Sequence, residues 1–497
     1  MTGPPVTITH ASERTTRAFH DDHFIDGEWM RSASATRTPV VDPTTELVWG
    51  EAPDASAADL DRAVGAAHRA FRSGEWSGLR AEDRAVVIRR LADELEARGL
   101  EMSLVITSEN GSPVAETSNA AAHSAGILRY YAGLAEWFDA PDNRPFEGDA
   151  SRYTSVSREA VGVAALIAPW NFPLTLVMVK LAPALLAGCT VVIKPASETP
   201  LDLRVLAAAV IAARVPAGVI NIITGSRIVG AKLVQHPLVS KVAFTGSTEA
   251  GRTIAAQCGR MLRPVTLELG GKSACVVLED ADLDALARVL IRTTLRNTGQ
   301  TCYNSTRLLA PTVIYERVVD LASSVISEAR QGDPLDPLTV FGPVVSARQR
   351  DSIEEYIAIG RAEGARVAVG GGRPADLDRG FFVEPTVFRD VTSSMRIARE
   401  EIFGPVLSII EYSDEDEAVR IANDSQFGLG GSVFSVDTDR AVAVAQRIES
   451  GSLGINFYAS NHAAPFGGWK DSGLGLEYGP EGVAPYVRLK SIHCSTA

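Results

Sequence analysis

Short apolar runs alternate with helix-length segments through the middle of the chain. The runs cover residues 161–168, 190–193, 219–223, 241–244 and 265–269, and they are rich in Val and Ile. Apolar runs of this length are typical of strands buried on both faces, and helices between such strands imply βαβ units. The pattern therefore predicts an α/β domain built on a parallel sheet.

A second alternation of the same kind begins near residue 273. Strands are predicted at 274–278, 306–309 and 406–410, with a helix from Asp282 towards Arg296. These segments indicate a second α/β lobe. We expect the boundary between the two lobes at the glycine pair 270–271, where the apolar pattern is interrupted.

The region before the first sheet is helical in pattern. Apolar residues from Leu60 to Phe71 fall on one helix face, and Ser56 with Asp59 forms a possible capping box at its start. A second amphipathic helix is predicted over residues 81–97. Residues 144–157 are polar and alternate in pattern, which favours a projecting hairpin.

Charge and cysteine content exclude several classes of protein. The 497 residues carry a net charge of −13, which repels nucleic-acid phosphates and anionic lipid. Five scattered cysteines lack metal-binding spacing and favour a reducing, cytoplasmic location. The first 25 residues contain no apolar segment typical of a secretory signal. Polar or helix-breaking residues interrupt the apolar stretch 174–193, so we expect core and no membrane span.

Three residues could carry chemistry. Cys302 follows Gly299 in a predicted turn, where a thiol could act as a nucleophile. Glu268 ends a predicted strand and could serve as a general base, and Asn171, between two prolines, could donate to an oxyanion. Taken singly, each has a commoner structural interpretation: a buried thiol, a solvated carboxylate and a turn asparagine.

A glycine-rich segment offers a competing hypothesis. Residues 246–253 follow a predicted strand and open a helix, which is the context of a phosphate-binding loop in a kinase or ATPase. Arg252 stands where such loops carry lysine, and no acidic strand end is evident for magnesium. The segment therefore argues against nucleotide hydrolysis.

Taken together and in order, these segments resemble the NAD(P)-dependent aldehyde dehydrogenase superfamily over nearly the whole chain. The matching segments are residues 24–29, 42–45, 169–173, 194–196, 244–247, 267–272, 297–302, 401–406 and 465–473. So many matches in family order are specific. They reverse the interpretation of Cys302, Glu268 and Asn171.

The resemblance implies an α/β fold of three parts. A Rossmann-like cofactor domain would comprise residues 1–141 and 161–270, and a catalytic α/β domain residues 271–470. A small β oligomerisation arm and tail would comprise residues 142–160 and 471–497. Assembly as a homodimer or homotetramer is implied in the same way.

The resemblance also implies the reaction. The Cys302 thiolate adds to the aldehyde, Asn171 and the Cys302 N–H hold the oxyanion, and Glu268 activates the water that hydrolyses the thioester. Coenzyme A-acylating relatives usually lack this glutamate, so that alternative is disfavoured but stays open. A catalytically silent relative is disfavoured because all three residues are present.

Cofactor residues follow from the same motifs, and NAD is the expected coenzyme. The implied set is Ala168, Pro169, Trp170, Lys194, Ser197, Glu198, Gly246, Ser247, Leu269, Glu401 and Phe403. NAD-preferring members often carry a glutamate at the position of Ser197, where it repels a 2′-phosphate. Here the glutamate is one place later, at Glu198, so NADP is also possible.

The implied substrate tunnel is uncharged. Its residues would be Phe172, Thr175, Leu176, Val179, Thr301, Tyr303, Tyr458 and Phe466. No arginine is found flanking Cys302 that would anchor a carboxylated aldehyde, and Val179 indicates room for a bulky chain. The expected substrate is a neutral, apolar aldehyde.

Overall fold

A computed structural model of the chain describes residues 22–495. The amino-terminal residues in which no secretory signal is predicted lie for the most part outside this range. Within residues 22–495, no helix combines the length and the apolar character that a membrane crossing requires.

The described residues alternate between strands and helices. The strands are β1 Asp22–Ile25, β2 Glu28–Arg31, β3 Arg37–Asp42, β4 Leu47–Pro53, β5 Asp142–Phe146, β6 Asp149–Ala160, β7 Val163–Ile167, β8 Thr190–Lys194, β9 Ile220–Ile222, β10 Val239–Thr245, β11 Val265–Glu268, β12 Ala274–Val277, β13 Arg307–Pro311, β14 Arg366–Val369, β15 Thr386–Arg389, β16 Val406–Tyr412, β17 Phe427–Gly428, β18 Gly431–Phe434, β19 Gly454–Ile455, β20 Trp469–Lys470, β21 Gly473–Leu474 and β22 Val487–Ser495. The helices are α1 Ala57–Ser73, α2 Ala81–Glu96, α3 Gly99–Asn110, α4 Val114–Thr117, α5 Ala120–Gly133, α6 Ala135–Asp139, α7 Pro173–Ala187, α8 Asp202–Ala212, α9 Arg227–Gln235, α10 Thr248–Arg260, α11 Leu283–Thr294, α12 Tyr315–Glu328, α13 Ala347–Ala362, α14 Arg396–Arg399, α15 Glu415–Asn423 and α16 Thr438–Ala445.

The first sheet has the strand order β2-β1-β9-β8-β7-β10-β11-β21. Its five central strands, β9 to β11 in that order, are parallel, and the outer pairings are antiparallel. Alternate residues of β7 enter different hydrophobic clusters: Ala164 packs in one and Ala165 in the other. Both faces of the sheet are therefore buried, as the unbroken apolar runs predict.

A second sheet has the order β14-β15-β16-β13-β12-β18-β19, and it is parallel except for β14. It too is covered on both faces, because Val276 and Val277 of β12 belong to separate clusters. The Gly270-Gly271 pair lies between β11 of the first sheet and β12 of the second. The two predicted α/β lobes are present as two sheets.

A three-stranded antiparallel sheet, β22-β6-β5, contains the predicted hairpin. The carboxyl-terminal residues 471–497, predicted to form the tail of this arm, do not all lie in the three-stranded sheet. Residues 473–474 form β21 and pair with β11 of the first sheet, so only β22 extends the hairpin. The reason is local: the N–H of Leu269 donates to the carbonyl of Ser472, which holds this segment beside the end of β11.

Helix α1 begins as the capping box predicts, and Asp59 does more than cap it. Its carboxylate accepts from the Ser56 N–H at 2.9 Å, from the Ala33 N–H at 3.0 Å and from the Ser32 hydroxyl at 2.9 Å. The side chain is fully buried. Asp59 therefore joins the loop after β2 to the start of α1, and burial is offset by hydrogen bonds that hold the pKa of this carboxyl below its usual range.

Replacing Asp59 by alanine is expected to lower the free energy of unfolding by about 2 to 4 kcal/mol, since it leaves buried donors without an acceptor. Ser56→Ala, which removes the cap alone, is expected to cost only about 1 kcal/mol. Chemical denaturation of the two variants measures the difference. Equal losses would mean that the contacts with Ser32 and Ala33 contribute nothing.

Candidate active site

A cavity of about 410 Å³ opens between the two sheets and brings the three candidate catalytic residues together. Asn171 follows β7, Glu268 ends β11, and Cys302 lies in the loop between α11 and β13. All three line this cavity. The carboxyl ends of parallel strands are where α/β sheets bind ligands, which accounts for the placement of the first two.

The loop before Cys302 has an unusual backbone. Asn297, Thr298 and Gly299 take positive φ in succession, at 54°, 55° and 76°. A Cβ on Gly299 would lie 2.0 Å from the Gly404 carbonyl oxygen, so the loop approaches the other chain segment too closely for any side chain. The Gln300 side chain accepts from the Val345 N–H at 3.0 Å, and this bond holds the loop in place.

Cys302 is half-buried and lines the cavity. Burial raises the pKa of its thiol, and the carboxylates of Glu401 and Glu268 raise it further. The N–H groups of Tyr303 and of Cys302 itself act in the opposite sense, because they stabilise the thiolate. Burial therefore favours the protonated thiol in this state, and a base must take up the proton before the sulfur can act as a nucleophile.

The Asn171 amide is held in place by the loop that carries the thiol. Its Nδ2 donates to the main-chain carbonyl of Gln300 at 2.9 Å, and the main-chain carbonyl of Asn171 accepts from Asn297 Nδ2 at 3.1 Å. Asn110 Nδ2 donates to the preceding carbonyl, that of Trp170, at 3.0 Å. Since an amide nitrogen has two donors, one N–H remains for a ligand in the cavity.

Glu268 is buried, and neither of its carboxylate oxygens has a hydrogen-bond partner among the described residues. Burial raises its pKa well above the ordinary value, and the nearby Glu477 raises it further. Lys180 opposes this shift: its ammonium is buried and bonds Glu477 at 2.7 Å and the Thr245 hydroxyl at 2.8 Å. A carboxyl group with a raised pKa beside a cavity is a candidate for proton transfer.

The candidate cofactor residues on the first sheet lie where its parallel strands end. Ala168, Pro169 and Trp170 follow β7, and Lys194 ends β8. Burial lowers the pKa of Lys194 to about 8, while its Nζ donates to the Pro195 carbonyl at 2.7 Å. Ser197 donates to the Gly225 carbonyl at 3.2 Å.

Further candidates surround the start of α10 and the second lobe. Gly246 and Ser247 precede α10, and the Ser247 hydroxyl caps it by accepting from the Ala250 N–H at 3.3 Å. Arg252, the residue that departs from a phosphate-binding loop, pairs with Asp471 at 2.5 Å. The side chain of Glu198 is exposed and that of Leu269 is buried.

Glu401 and Phe403 reach the first lobe from the segment before β16. The Glu401 carboxylate accepts from the Gly271 N–H at 3.1 Å, and burial raises its pKa to about 7. The Phe403 and Trp170 rings meet edge to face with centroids 5.3 Å apart. Glu401 and Phe403 thus contact residues that follow β11 and β7 of the first sheet.

The predicted substrate residues are mostly together, with one exception. The cavity is lined by Phe172, Thr175, Leu176, Thr301, Tyr303, Tyr458 and Phe466. The rings of Tyr303 and Tyr458 lie 4.9 Å apart, and Tyr303 also meets Phe466 edge to face. Val179 instead packs in the hydrophobic core beside the first sheet, three helical positions further from the cavity than Leu176.

One wall of the cavity was not predicted from the sequence. It comes from α3 to α5, and its residues are Ile106, Ser112, Ala115, Glu116, Thr117, Asn119, Ala120 and His123. Two arginines, Arg292 and Arg296, also line the cavity. The expectation of an uncharged tunnel with no arginine near Cys302 is therefore wrong, because the turn after α11 folds Arg296 back toward the thiol loop: the Thr301 hydroxyl donates to the Arg296 carbonyl at 3.1 Å.

Known proteins with the same architecture are aldehyde dehydrogenases. The sequence model of the aldehyde dehydrogenase family matches residues 29–492. A geranial dehydrogenase from Castellaniella defragrans is 51% identical over 475 residues, covering 95% of this chain and 98% of the relative. The chain therefore belongs to the aldehyde dehydrogenase family.

Two solved structures agree closely with the fold. A Mycobacterium tuberculosis aldehyde dehydrogenase complexed with NAD+ superposes with a TM-score of 0.92 at 42% identity, covering 95% of this chain and 98% of that one. A mutant of Pseudomonas syringae aldehyde dehydrogenase C complexed with NAD+ and octanal gives 0.91 at 40% identity, covering 95% and 96%.

Gly299→Ala is expected to lower the free energy of unfolding by more than about 1 kcal/mol and to disorder the thiol loop, because the residue has positive φ and no room for a Cβ. Gly259→Ala is the matched control, since Gly259 lies in α10 with no atom within 4 Å of its Cβ position. Denaturation curves and the alkylation rate of Cys302 report both effects. An unchanged Gly299→Ala protein would contradict the account of this loop.

Proposed function

We propose that this chain oxidises an aldehyde to its carboxylic acid with reduction of NAD or NADP, using Cys302 as the nucleophile. The observation that carries the proposal is the convergence of Cys302, Glu268 and Asn171 on one cavity beside the carboxyl ends of a parallel sheet. Membership of the aldehyde dehydrogenase family supports the same reaction.

The chemistry of the candidate cofactor residues would suit a dinucleotide. Lys194 is buried and has three ammonium donors but a single acceptor within residues 22–495, which leaves donors for ribose hydroxyls. The capped amino terminus of α10 suits a pyrophosphate, and Glu401 with Phe403 would hold the nicotinamide end. A bound nicotinamide would supply the hydride acceptor for oxidation of the substrate carbon. NAD+ in the Mycobacterium tuberculosis structure supports this assignment.

The thiol step begins with loss of the Cys302 proton to a nearby carboxylate. The thiolate sulfur then bonds the aldehyde carbon, and the carbonyl π electrons move to oxygen. The free N–H of Asn171 and the N–H of Cys302 would stabilise that oxyanion. These donors are fixed in advance by the hydrogen bonds of the thiol loop, so little reorganisation accompanies the charge.

Glu268 would complete the cycle as a general base. Its raised pKa suits it to remove a proton from water, whose oxygen then attacks the thioester carbon while the carbon–sulfur bond breaks. The product leaves as a carboxylate and the Cys302 thiol is restored. A coenzyme A acceptor remains the second candidate, and the presence of Glu268 disfavours it.

NADP would also be accepted. Ser197 is neutral and only partly exposed, so it places no charge against a 2′-phosphate. The carboxylate of Glu198 is exposed, where solvent screens its repulsion. We therefore propose NAD as the principal coenzyme and NADP as a second.

The substrate would be a neutral, apolar aldehyde. Aromatic rings of Phe172, Tyr303, Tyr458 and Phe466 form much of the cavity wall. The relative from Castellaniella defragrans is named for geranial, and the Pseudomonas syringae enzyme was solved with octanal. Both names support a medium-length aliphatic or terpenoid-like chain.

Assembly and location follow from the same sequence features. The β22-β6-β5 sheet presents the exposed apolar side chains of Leu489 and Ile492, which supports a homodimer or homotetramer built through this arm. All five cysteines are free in the described part of the chain, which supports a cytoplasmic location.

The purified protein is expected to form reduced coenzyme from hexanal, benzaldehyde and a terpenoid aldehyde, with NAD turned over faster than NADP. Cys302→Ala should abolish turnover while leaving the melting temperature within a few degrees. Cys258→Ala is the matched control, because Cys258 is buried in α10 away from the cavity. Turnover that survives in Cys302→Ala would refute the thiol mechanism, and stimulation by coenzyme A would favour the acyl-transfer alternative.

Glu268→Gln is expected to slow the steady state by about 10²- to 10⁴-fold while leaving a stoichiometric first burst of reduced coenzyme. In the parent enzyme, thioester hydrolysis should speed up as pH rises through the raised pKa of Glu268, because only the carboxylate form can take a proton; the variant should lose this rise. Mass spectrometry detects the acyl group on Cys302. Glu411→Gln, in an exposed position of β16, serves as control.

A further inference from the structure

A partly buried ion pair forms part of the cavity wall. Arg296 Nε donates to Glu116 Oε2 at 2.8 Å, and Nη2 lies at the same distance from that oxygen. Its Nη1 donates to the Tyr303 hydroxyl at 2.6 Å, and the guanidinium lies over the Phe172 ring at 5.1 Å. The side chains of Arg296 and Glu116 are only 25% and 27% exposed.

This pair stands in the same wall as the predicted substrate contacts. Glu116, Phe172, Arg296 and Tyr303 all line the cavity that contains Cys302. Because the guanidinium is packed between an aromatic ring and a phenol hydroxyl, it cannot turn away to solvent as a surface arginine would. Its charge is therefore a fixed property of the pocket.

Other charged groups of the lining do not compensate Arg296. Arg292 is exposed and has no ion-pair partner within residues 22–495, and solvent screens it. Burial lowers the pKa of His123, and both His462 and Arg296 lower it further, so this imidazole is neutral at pH 7. Glu477 is bonded to Lys180. Glu116 is thus the counter-charge of Arg296.

We propose that Glu116 determines specificity: its carboxylate occupies the Arg296 guanidinium, and the pocket therefore selects uncharged aldehydes over carboxylated ones. The inference rests on the proposed function and names its substrate class. A guanidinium binds carboxylates through a fork of N–H donors, so a substrate carboxylate and Glu116 compete for the same donors. Without the Glu116 charge, Arg296 becomes the anchor for a carboxylated aldehyde.

The test compares ligands that differ in charge alone. Calorimetry measures binding of 4-methylbenzoate against 4-methylbenzamide, and of hexanoate against hexanamide, to the parent and to Glu116→Gln. The variant should raise the preference for the carboxylate over its amide by about tenfold, the ratio expected from about 1.4 kcal/mol for a hydrogen bond to a charged group. Turnover of 4-formylbenzoate against 4-formylbenzamide should shift in the same sense.

Two further variants separate Arg296 from its neighbours. Glu116→Gln combined with Arg296→Gln should lose the gain, whereas Glu116→Gln combined with Arg292→Gln should keep it. Arg296→Gln alone should disfavour carboxylates below the parent level, and this second arm decides the matter if Glu116→Gln does not fold. Melting temperatures report folding of each protein.

Three outcomes would overturn the proposal. They are a change of preference below about twofold, undetectable carboxylate binding by Glu116→Gln, and a gain that survives the loss of Arg296. Failure of the proposed function is recognised separately, because it appears as absent turnover of every aldehyde by the parent protein. The binding preferences are measured without turnover, so they test the role of Glu116 even if the parent protein oxidises no aldehyde.

Discussion

The site depends on a small set of hydrogen bonds that cross between the two sheets. Asn171, which follows the first sheet, donates to the main chain of the thiol loop and accepts from Asn297 of the same loop. These bonds are buried, where an unpaired amide would cost about 1 to 3 kcal/mol, so the lobes cannot shift without breaking them. The distance from thiol to oxyanion donor is thus a property of how the lobes pack.

Some charged groups around the cavity form ion pairs, and one does not. The paired groups hold the structure together, whereas the unpaired group can take part in the reaction. Lys180 with Glu477 and Arg296 with Glu116 are compensated pairs, each joining segments distant in the chain. Glu268 has no such partner among the described residues, and burial together with the nearby Glu477 raises its pKa. A group left uncompensated at a buried position is one whose protonation can change during a reaction.

The periodicity of apolar residues in the sequence is sufficient to predict the two sheets. It is insufficient to predict which residues line the cavity. The apolar runs of β7 and β8 predict buried parallel strands, because burial on both faces leaves no polar alternation. The start of α1 near Ser56 is also predicted correctly, because the capping box is a local signal in the sequence. The place of Glu116 in the cavity wall is not predicted, because α4 has only four residues and shows no helical periodicity. The place of Arg296 is not predicted because its approach to Cys302 depends on the turn after α11. Val179 was misplaced because one helical turn separates cavity from core.

The order in which the chain is made bears on when it can act. The cavity needs Asn110 to hold the segment before Asn171, and it needs Glu477 beside Glu268. Ribosomes add about 5 to 20 residues per second, so roughly 20 to 70 seconds separate the synthesis of these two positions. During that interval the first parallel strands can form while Lys180 has no counter-ion. The complete cavity is therefore assembled only late, when the segment that carries Glu477 packs beside the first sheet.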